Sequence, residues 1–234
     1  DFYEDYSNPL YVYAAEPDLV VSSTSLSESI VFPGDSFRAN ATVTNQGNAA
    51  AASSYLYYYF SSNTTASSSE RFDTDYVSSL STGESSSEYE YHTVPESISD
   101  GTWYVIYRAD GGEVIDESNE SNNTTWRSLT VSSPTIDQSS INDYSANAGQ
   151  TITFSYEICN PDNETRTIGL GASIRPHGTA TWIDDPTNDV TRAVSPGCSW
   201  YGRDFVIPLS ASGSYDIAYG IHSDMPSETS LLYD

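Results

Sequence analysis

The stretch PGDSFRANATVTNQGNAA, residues 33–50, reads as a turn that runs into a strand. Pro33 and Gly34 supply turn chemistry. From there Phe37, Ala39, Ala41 and Val43 fall on one face and Arg38, Asn40, Thr42 and Thr44 on the other, the period-two alternation of a half-buried strand. AGQTITFSYEICNPDNET, residues 148–165, repeats the design with Ile152, Phe154, Tyr156 and Ile158 inward. Moving outward, SSYLYYYF (53–60) is a second strand, matched by TIGLGASIRP (167–176). LSTGESSSEYEYHTVPESISDGTWYVIYRADGG (80–112) holds two strands joined by a Ser/Asp/Gly connection, with Trp103, Val105 and Tyr107 inward. It is matched by VSPGCSWYGRDFVIPLSASGSYDIAYGIHSD (194–224).

Gly34, Gly83 and Gly101 map onto Gly149, Gly197 and Gly213, at separations of 115, 114 and 112 residues. A near-constant offset of this kind marks an internal duplication. Short alternating strands with turn signals about every ten residues describe β-sandwiches. The expected fold is all-β: two tandem immunoglobulin-like β-sandwiches, residues 17–132 and 133–234, with the boundary in VSSPTID around Pro134. An extended N-terminal strand arm, residues 1–16, precedes them.

Composition agrees with that reading. The 234 residues suffice for one large domain or two ordinary ones, each with its own core. Tyr, Thr, Val and Ile fill the periodic stretches, Ser fills the connections, and no helical period is sustained. The formal charge is −25, lysine is absent, and all eight basic residues are arginine. Nucleic acid and anionic membrane surfaces are excluded as partners, because both require clustered Lys and Arg. Without lysine, isopeptide cross-linking is excluded as an assembly route. No apolar run approaches the roughly 20 residues of a membrane-spanning helix. The chain opens at Asp1 and its one methionine is Met225, so we expect an extracellular chain from which a signal peptide was removed. Cys159 and Cys198 share neither CxxC spacing nor a nearby histidine, and are expected to form a disulfide.

PDLVVSSTSLS (17–27), PGDSFRANATVTNQGNAAA (33–51) and YVIYRADGGEVIDESNESNNTTWRSLTV (104–131) together resemble CARDB, the cell-adhesion-related domain of bacterial and archaeal surface proteins. The resemblance covers about residues 17–132. Its most specific part is the acidic hairpin ending Glu120-Ser121-Asn122-Asn123 before the last strand, which has no counterpart in the second half. The resemblance implies an immunoglobulin-like sandwich on a surface or secreted protein, with a binding or structural role and no catalysis.

Several residue groups are candidate sites. Asp110, Glu113, Asp116, Glu117, Glu120, Asn122 and Asn123 lie in one turn region. Calcium takes six to eight oxygen ligands, and these residues offer them at short spacing, although not in the EF-hand pattern. The alternative is a solvated acidic hairpin whose Asn and Asp serve the turn. No other cofactor is implied. Glycosylation acceptors occur at Asn40, Asn63, Asn119, Asn122, Asn123 and Asn163, with Asn63 and Asn163 favoured because they sit in turns. Asp184 and Asp185 beside Trp182 could imitate a glycosidase carboxylate pair. Acidic residues beside aromatics are unavoidable in so acidic a chain, and His92, His177 and His222 are scattered outside any catalytic motif. No enzymatic activity is expected. Alternation separates Tyr55, Tyr57 and Tyr59 from Leu56, Tyr58 and Phe60; one set should join the core and the other form an interface or a sugar-stacking face.

The arm decides between functions. Leu10, Val12 and Ala14 lie on one face and Tyr11, Tyr13 and Ala15 on the other. A strand apolar on both faces suits burial between neighbours and is a liability when exposed. The expected function is therefore a structural subunit of an extracellular filament or pilus, polymerising with copies of itself by donor-strand addition through Leu10, Tyr11, Val12, Tyr13 and Ala14. The alternatives are a surface adhesion module with cell-surface or polysaccharide ligands, and accessory domains of a secreted hydrolase.

Overall fold

The computed structural model describes residues 11, 14–222 and 232–233. Strands follow one another as β1 Leu19–Leu26, β2 Ile30–Val31, β3 Ser36–Asn45, β4 Ser54–Ser61, β5 Arg71–Val77, β6 Ser85–Thr93, β7 Gly101–Arg108 and β8 Thr124–Val131. The second half contributes β9 Thr135–Ile141, β10 Thr151–Asn160, β11 Arg166–Pro176, β12 Ile183–Asp184, β13 Val190–Val194, β14 Gly197–Val206, β15 Tyr215–His222 and β16 Leu232–Tyr233. Contacts divide the chain into two units. One runs up to residue 29 and takes 36–93 and 102–129; the other takes 30–35, 94–101 and the chain from 130 onward. The main division falls between Leu129 and Thr130.

The two halves repeat strand order as well as sequence. Sheet β1-β3-β6 has its counterpart in β9-β10-β14, and sheet β2-β8-β7-β4-β5 in β16-β15-β11, where β12 and β13 both pair with β11. Every residue expected to point inward in β3 and β10 is buried. Phe37 of β3 lies 5.8 Å from Phe60 of β4 and 6.4 Å from Phe72 of β5, so the two sheets of the first half meet face to face. In the second half Phe154 of β10 lies 5.1 Å from Tyr219 of β15. The duplicated glycines all adopt positive φ, from 79° to 145°, a conformation that L side chains rarely adopt. The same turn cap recurs: Phe32 N donates to Asp35 Oδ2, and Asn147 N donates to Gln150 Oε1.

A second duplicated device was not anticipated. Asn45 and Asn160 end β3 and β10, and both are buried. Asn45 Nδ2 donates to Ala49 O (2.8 Å) and Leu80 O (3.0 Å), while its Oδ1 accepts from Gly47 N and Asp18 N. Asn160 Nδ2 donates to Glu164 O (2.8 Å) and Val194 O (2.9 Å), and its Oδ1 accepts from Asp162 N. One amide thus closes its own loop and holds the neighbouring connection. Alanine at either position orphans several buried main-chain groups. Loss of about 2 to 3 kcal/mol is expected for each of Asn45→Ala and Asn160→Ala, checked by denaturant unfolding.

Cys159 and Cys198 are disulfide-bonded. They are directly opposed partners in the β10–β14 ladder. Their neighbours Ile158 and Asn160 point into the sandwich and Cys198 is exposed, so the bridge lies across the outer face of one sheet.

Candidate functional site

The segment that leaves the arm is fixed from two sides. Glu16 N donates to Asn48 Oδ1 (2.8 Å), and Glu16 O accepts from Asn48 N and Ala49 N. Asp18 N donates to Asn45 Oδ1, and Asp18 O accepts from Gln46 N (2.8 Å). From the hairpin, Ser118 N donates to Pro17 O (2.9 Å), and the Glu117 carboxylate accepts from Leu19 N. The approach of the 45–49 loop requires a glycine. A Cβ on Gly47 would stand 2.5 Å from main-chain atoms of Pro17 and Asp18. The three stretches that carry the family resemblance therefore converge on residues 16–19.

Within the hairpin the structure sorts the predicted ligands. Glu117 is buried, and its other oxygen accepts from Asn123 Nδ2 (2.8 Å). Asp110, 2% exposed and at φ 40°, takes Ile115 N on Oδ2. Glu120 accepts from Glu117 N (2.9 Å). Asn122 Nδ2 donates to Asp18 Oδ1. Glu113 pairs outward with Arg108, and Asp116 is exposed. Burial raises the carboxyls of Asp110 and Glu117 above their ordinary pKa, reinforced by the nearby Glu120. Three buried oxygens have no hydrogen-bond donor: Asp110 Oδ1, Asn122 Oδ1 and Asn123 Oδ1. Oxygen donors of this kind fit the chemistry of a calcium ion. Yet among the described residues no three His, Cys, Asp or Glu side chains are placed to hold a metal. A calcium ion would draw on amide and main-chain oxygens as well.

Of the glycosylation acceptors, Asn63, Asn119 and Asn163 are exposed. Asn40 Nδ2 bonds to Ser25 across the β1–β3 ladder, and Asn122 Nδ2 is committed to Asp18. Asn123 is 5% exposed, and its Nδ2, the atom a glycan would take, is bound to Glu117. That acceptor is closed in the folded domain. Asp184 accepts from Ser173, Asp185 accepts from Val206 N and Asn188 Nδ2, and Trp182 lies beneath Arg175. His177 bonds Asp216, His222 is buried, and His92 packs against Phe37, Phe60 and Phe72. The histidines are not brought together.

Leu56, Tyr58 and Phe60 enter the core, as one alternation set should. Tyr55 and Tyr57 lie on the outer face, but Tyr59 of the same set is buried, where the β4–β5 register shifts between Tyr58 and Tyr59. Tyr55 and Tyr76 meet edge to face on that sheet, and so do Tyr104 and Trp126. Tyr55, Tyr76 and Trp126 are exposed. In the second half a cleft of about 710 Å³ opens at one end of the sandwich, lined by Ile141, Ile152, Ile174, Ile207, Tyr215 and Ile217 among others. Of the arm residues, Leu10, Val12 and Tyr13 lie outside the described residues; Tyr11 is 72% exposed and Ala14 is exposed.

Residues 16–127 match CARDB. No curated protein matches the chain. A CARDB domain from Pyrococcus furiosus, described in complex with di-metal ions, is 19% identical, aligned over 56% of this chain and 100% of its own, with a TM-score of 0.39. A domain of a Methanosarcina acetivorans protein provisionally assigned to the cell surface is 25% identical over 50% of this chain and 92% of its own, with a TM-score of 0.38. A β-glucosidase from Erythrobacter marinus is 13% identical over 50% of this chain and 16% of its own, with a TM-score of 0.37. Among the described residues no helix is long and apolar enough to cross a membrane. Residues 16–127 belong to CARDB, a cell-surface, adhesion-related domain family.

Proposed function

We propose that this chain is a subunit of an extracellular homopolymer in which the N-terminal segment of one copy adds a strand to a sandwich of the next. The observation that carries the reading is the contrast at the arm. Leu10–Ala14 is apolar on both faces and Tyr11 is 72% exposed, yet the chain is firmly bonded from Glu16 onward. An anchored root preceded by a segment apolar on both faces suits an element held by a neighbour, since strand addition satisfies main-chain groups on both partners. Head-to-tail contacts that do not close into a ring build filaments. Electron microscopy and sedimentation of the full chain test this. Wild-type protein should form polymer, and the double variant Leu10→Asp/Val12→Asp should remain monomeric. Polymer formed equally by both would sink the reading.

The outer aromatic face, with exposed Tyr55, Tyr76 and Trp126, favours a second reading, adhesion to polysaccharide by ring stacking. Retardation in polysaccharide-containing gels that Tyr76→Ala abolishes would support it. For the hairpin we propose a bound calcium ion, supported by the donorless oxygens of Asp110, Asn122 and Asn123. A cation there would offset the burial of the Asp110 and Glu117 charges. Calcium at a hundredfold excess over its Kd should add about 2.7 kcal/mol of stability. An identical melting curve with chelator and with calcium would leave the hairpin a hydrogen-bonded strap.

A further inference from the structure

We propose that the acceptor for the arm is the outer edge of β15, Tyr215–Tyr219, in another copy of the chain, with the isoleucine-lined cleft beneath that edge receiving Leu10, Val12 and Ala14. The inference rests on the homopolymer reading and names its missing half.

The two sandwiches differ at this edge. In the first, β7 has β4 on one side and β8 on the other. The eight-residue β8 carries Leu129 and Val131 into the core, at 0% and 1% exposure. In the second, β11 covers one side of β15 over its whole length. On the other side β16 pairs only with Gly220 and Ile221. Among the described residues nothing pairs with Tyr215–Tyr219 on that side. The consequence shows in the side chains: Val105 of β7 is fully buried, whereas Ile217 and Tyr219, which point inward from β15 and pack on the core, are only half-buried. The cleft reaches down to Ile152 and Ile174, both core residues.

What would complete the sandwich is therefore a strand of about five residues with two apolar side chains spaced as in β8. Leu129-Thr130-Val131 has that spacing, and so does Leu10-Tyr11-Val12. Residues 10–14 extended span roughly 17 Å, the length of the open edge. They present Leu10, Val12 and Ala14 on one face and Tyr11 and Tyr13 on the other. A strand bound there extends the sheet by main-chain hydrogen bonds and takes its register from the side chains that enter the cleft. Ala14, which would enter the cleft, is exposed in its own chain, so the donor is a separate copy.

Two full-length variants test the assignment. Ile217→Asp places a charge in the cleft and leaves the arm intact; Leu10→Asp/Val12→Asp leaves the cleft intact. Each should fail to polymerise alone, with affinity reduced about 100-fold or more. Mixed, they should form only a one-to-one dimer, because one can donate and the other accept. Polymer from Ile217→Asp but none from the arm variant would overturn the acceptor and spare the homopolymer reading. Polymer from both would overturn both. To separate misfolding of Ile217→Asp from lost docking, a second measurement uses a milder pair, Ala218→Cys in one chain and Tyr13→Cys in another. A cross-linked dimer on mixing supports the assignment. No cross-link overturns it, the outcome expected if the chain's own residues 223–231 cover the edge, and so does a doubly substituted chain that links only to itself at high dilution, the outcome expected if its own arm does.

Discussion

Arg203→Ala should be the most damaging single substitution in the second sandwich, with a loss of about 3 to 5 kcal/mol. The Arg203 side chain is fully buried and pairs with Asp189 (Nη2–Oδ1 3.1 Å). It also donates to three main-chain carbonyls: Asp185 O (2.7 Å), Ala172 O (3.2 Å) and Asn188 O (3.2 Å). One guanidinium thus ties β11 and the 185–189 connection to β14. Removing it orphans three carbonyls and leaves Asp189 without its cation. Burial already raises the Asp189 carboxyl, opposed chiefly by Arg203, so its titration should move further upward in the variant. The double variant Arg203→Met/Asp189→Ala should recover part of the loss, because an apolar replacement for a buried pair is often near neutral. Denaturant unfolding of the three proteins decides. A loss below about 1 kcal/mol for Arg203→Ala would show that the buried ion contributes little.

Breaking the Cys159–Cys198 bridge, by reduction or by Cys159→Ala/Cys198→Ala, should lower stability by about 3 to 4 kcal/mol in the chain-entropy model. The cysteines are 39 residues apart in sequence. They are opposed in a ladder that runs from Thr151–Val206 to Asn160–Gly197. That ladder should keep its register without the bond, so the loss should come from the wider unfolded ensemble. Backbone NMR shifts should change only near the end of β10 while the unfolding midpoint falls. A variant with an unchanged midpoint would contradict the entropic account. For a domain of about 100 residues, a loss of this size lowers the melting temperature by more than 10 °C.

Where periodicity is local, the sequence was legible. The alternation in 37–43 and 152–158 predicts the buried faces, and the glycine offsets predict turns that the positive φ values bear out. The disulfide followed from there being only two cysteines. What escaped depends on pairs distant in the chain. Asn45 and Asn160 stand 115 residues apart, on the same offset as Gly34 and Gly149, so the signal was available. Its meaning stays hidden, because an amide that closes its own loop and also reaches Leu80 or Val194 cannot be inferred from its neighbours. Tyr59 keeps to the face of Tyr57 but is covered there, and cover by neighbouring side chains does not show in the alternation. The hairpin reads equally as a calcium ligand set or a solvated acidic turn, because clustered carboxylates look alike on paper. Folding separates a buried strut, Glu117, from surface charges such as Glu113 and Asp116.

The bonding of residues 16–19 has a mechanical meaning. In a filament, tension arriving along an arm would reach the CARDB domain at Glu16, before β1 begins. There the chain is gripped by the 45–49 loop and by Glu117 and Ser118 of the hairpin, on opposite sides of the pull. Several short hydrogen bonds loaded together resist far better than ladder bonds broken one after another, so the grip shields β1 from being peeled off β3. Gly47, whose missing side chain lets the loop close on Pro17 and Asp18, is then the position where a single methyl group should weaken the subunit most under stretching, whatever it does to the resting fold.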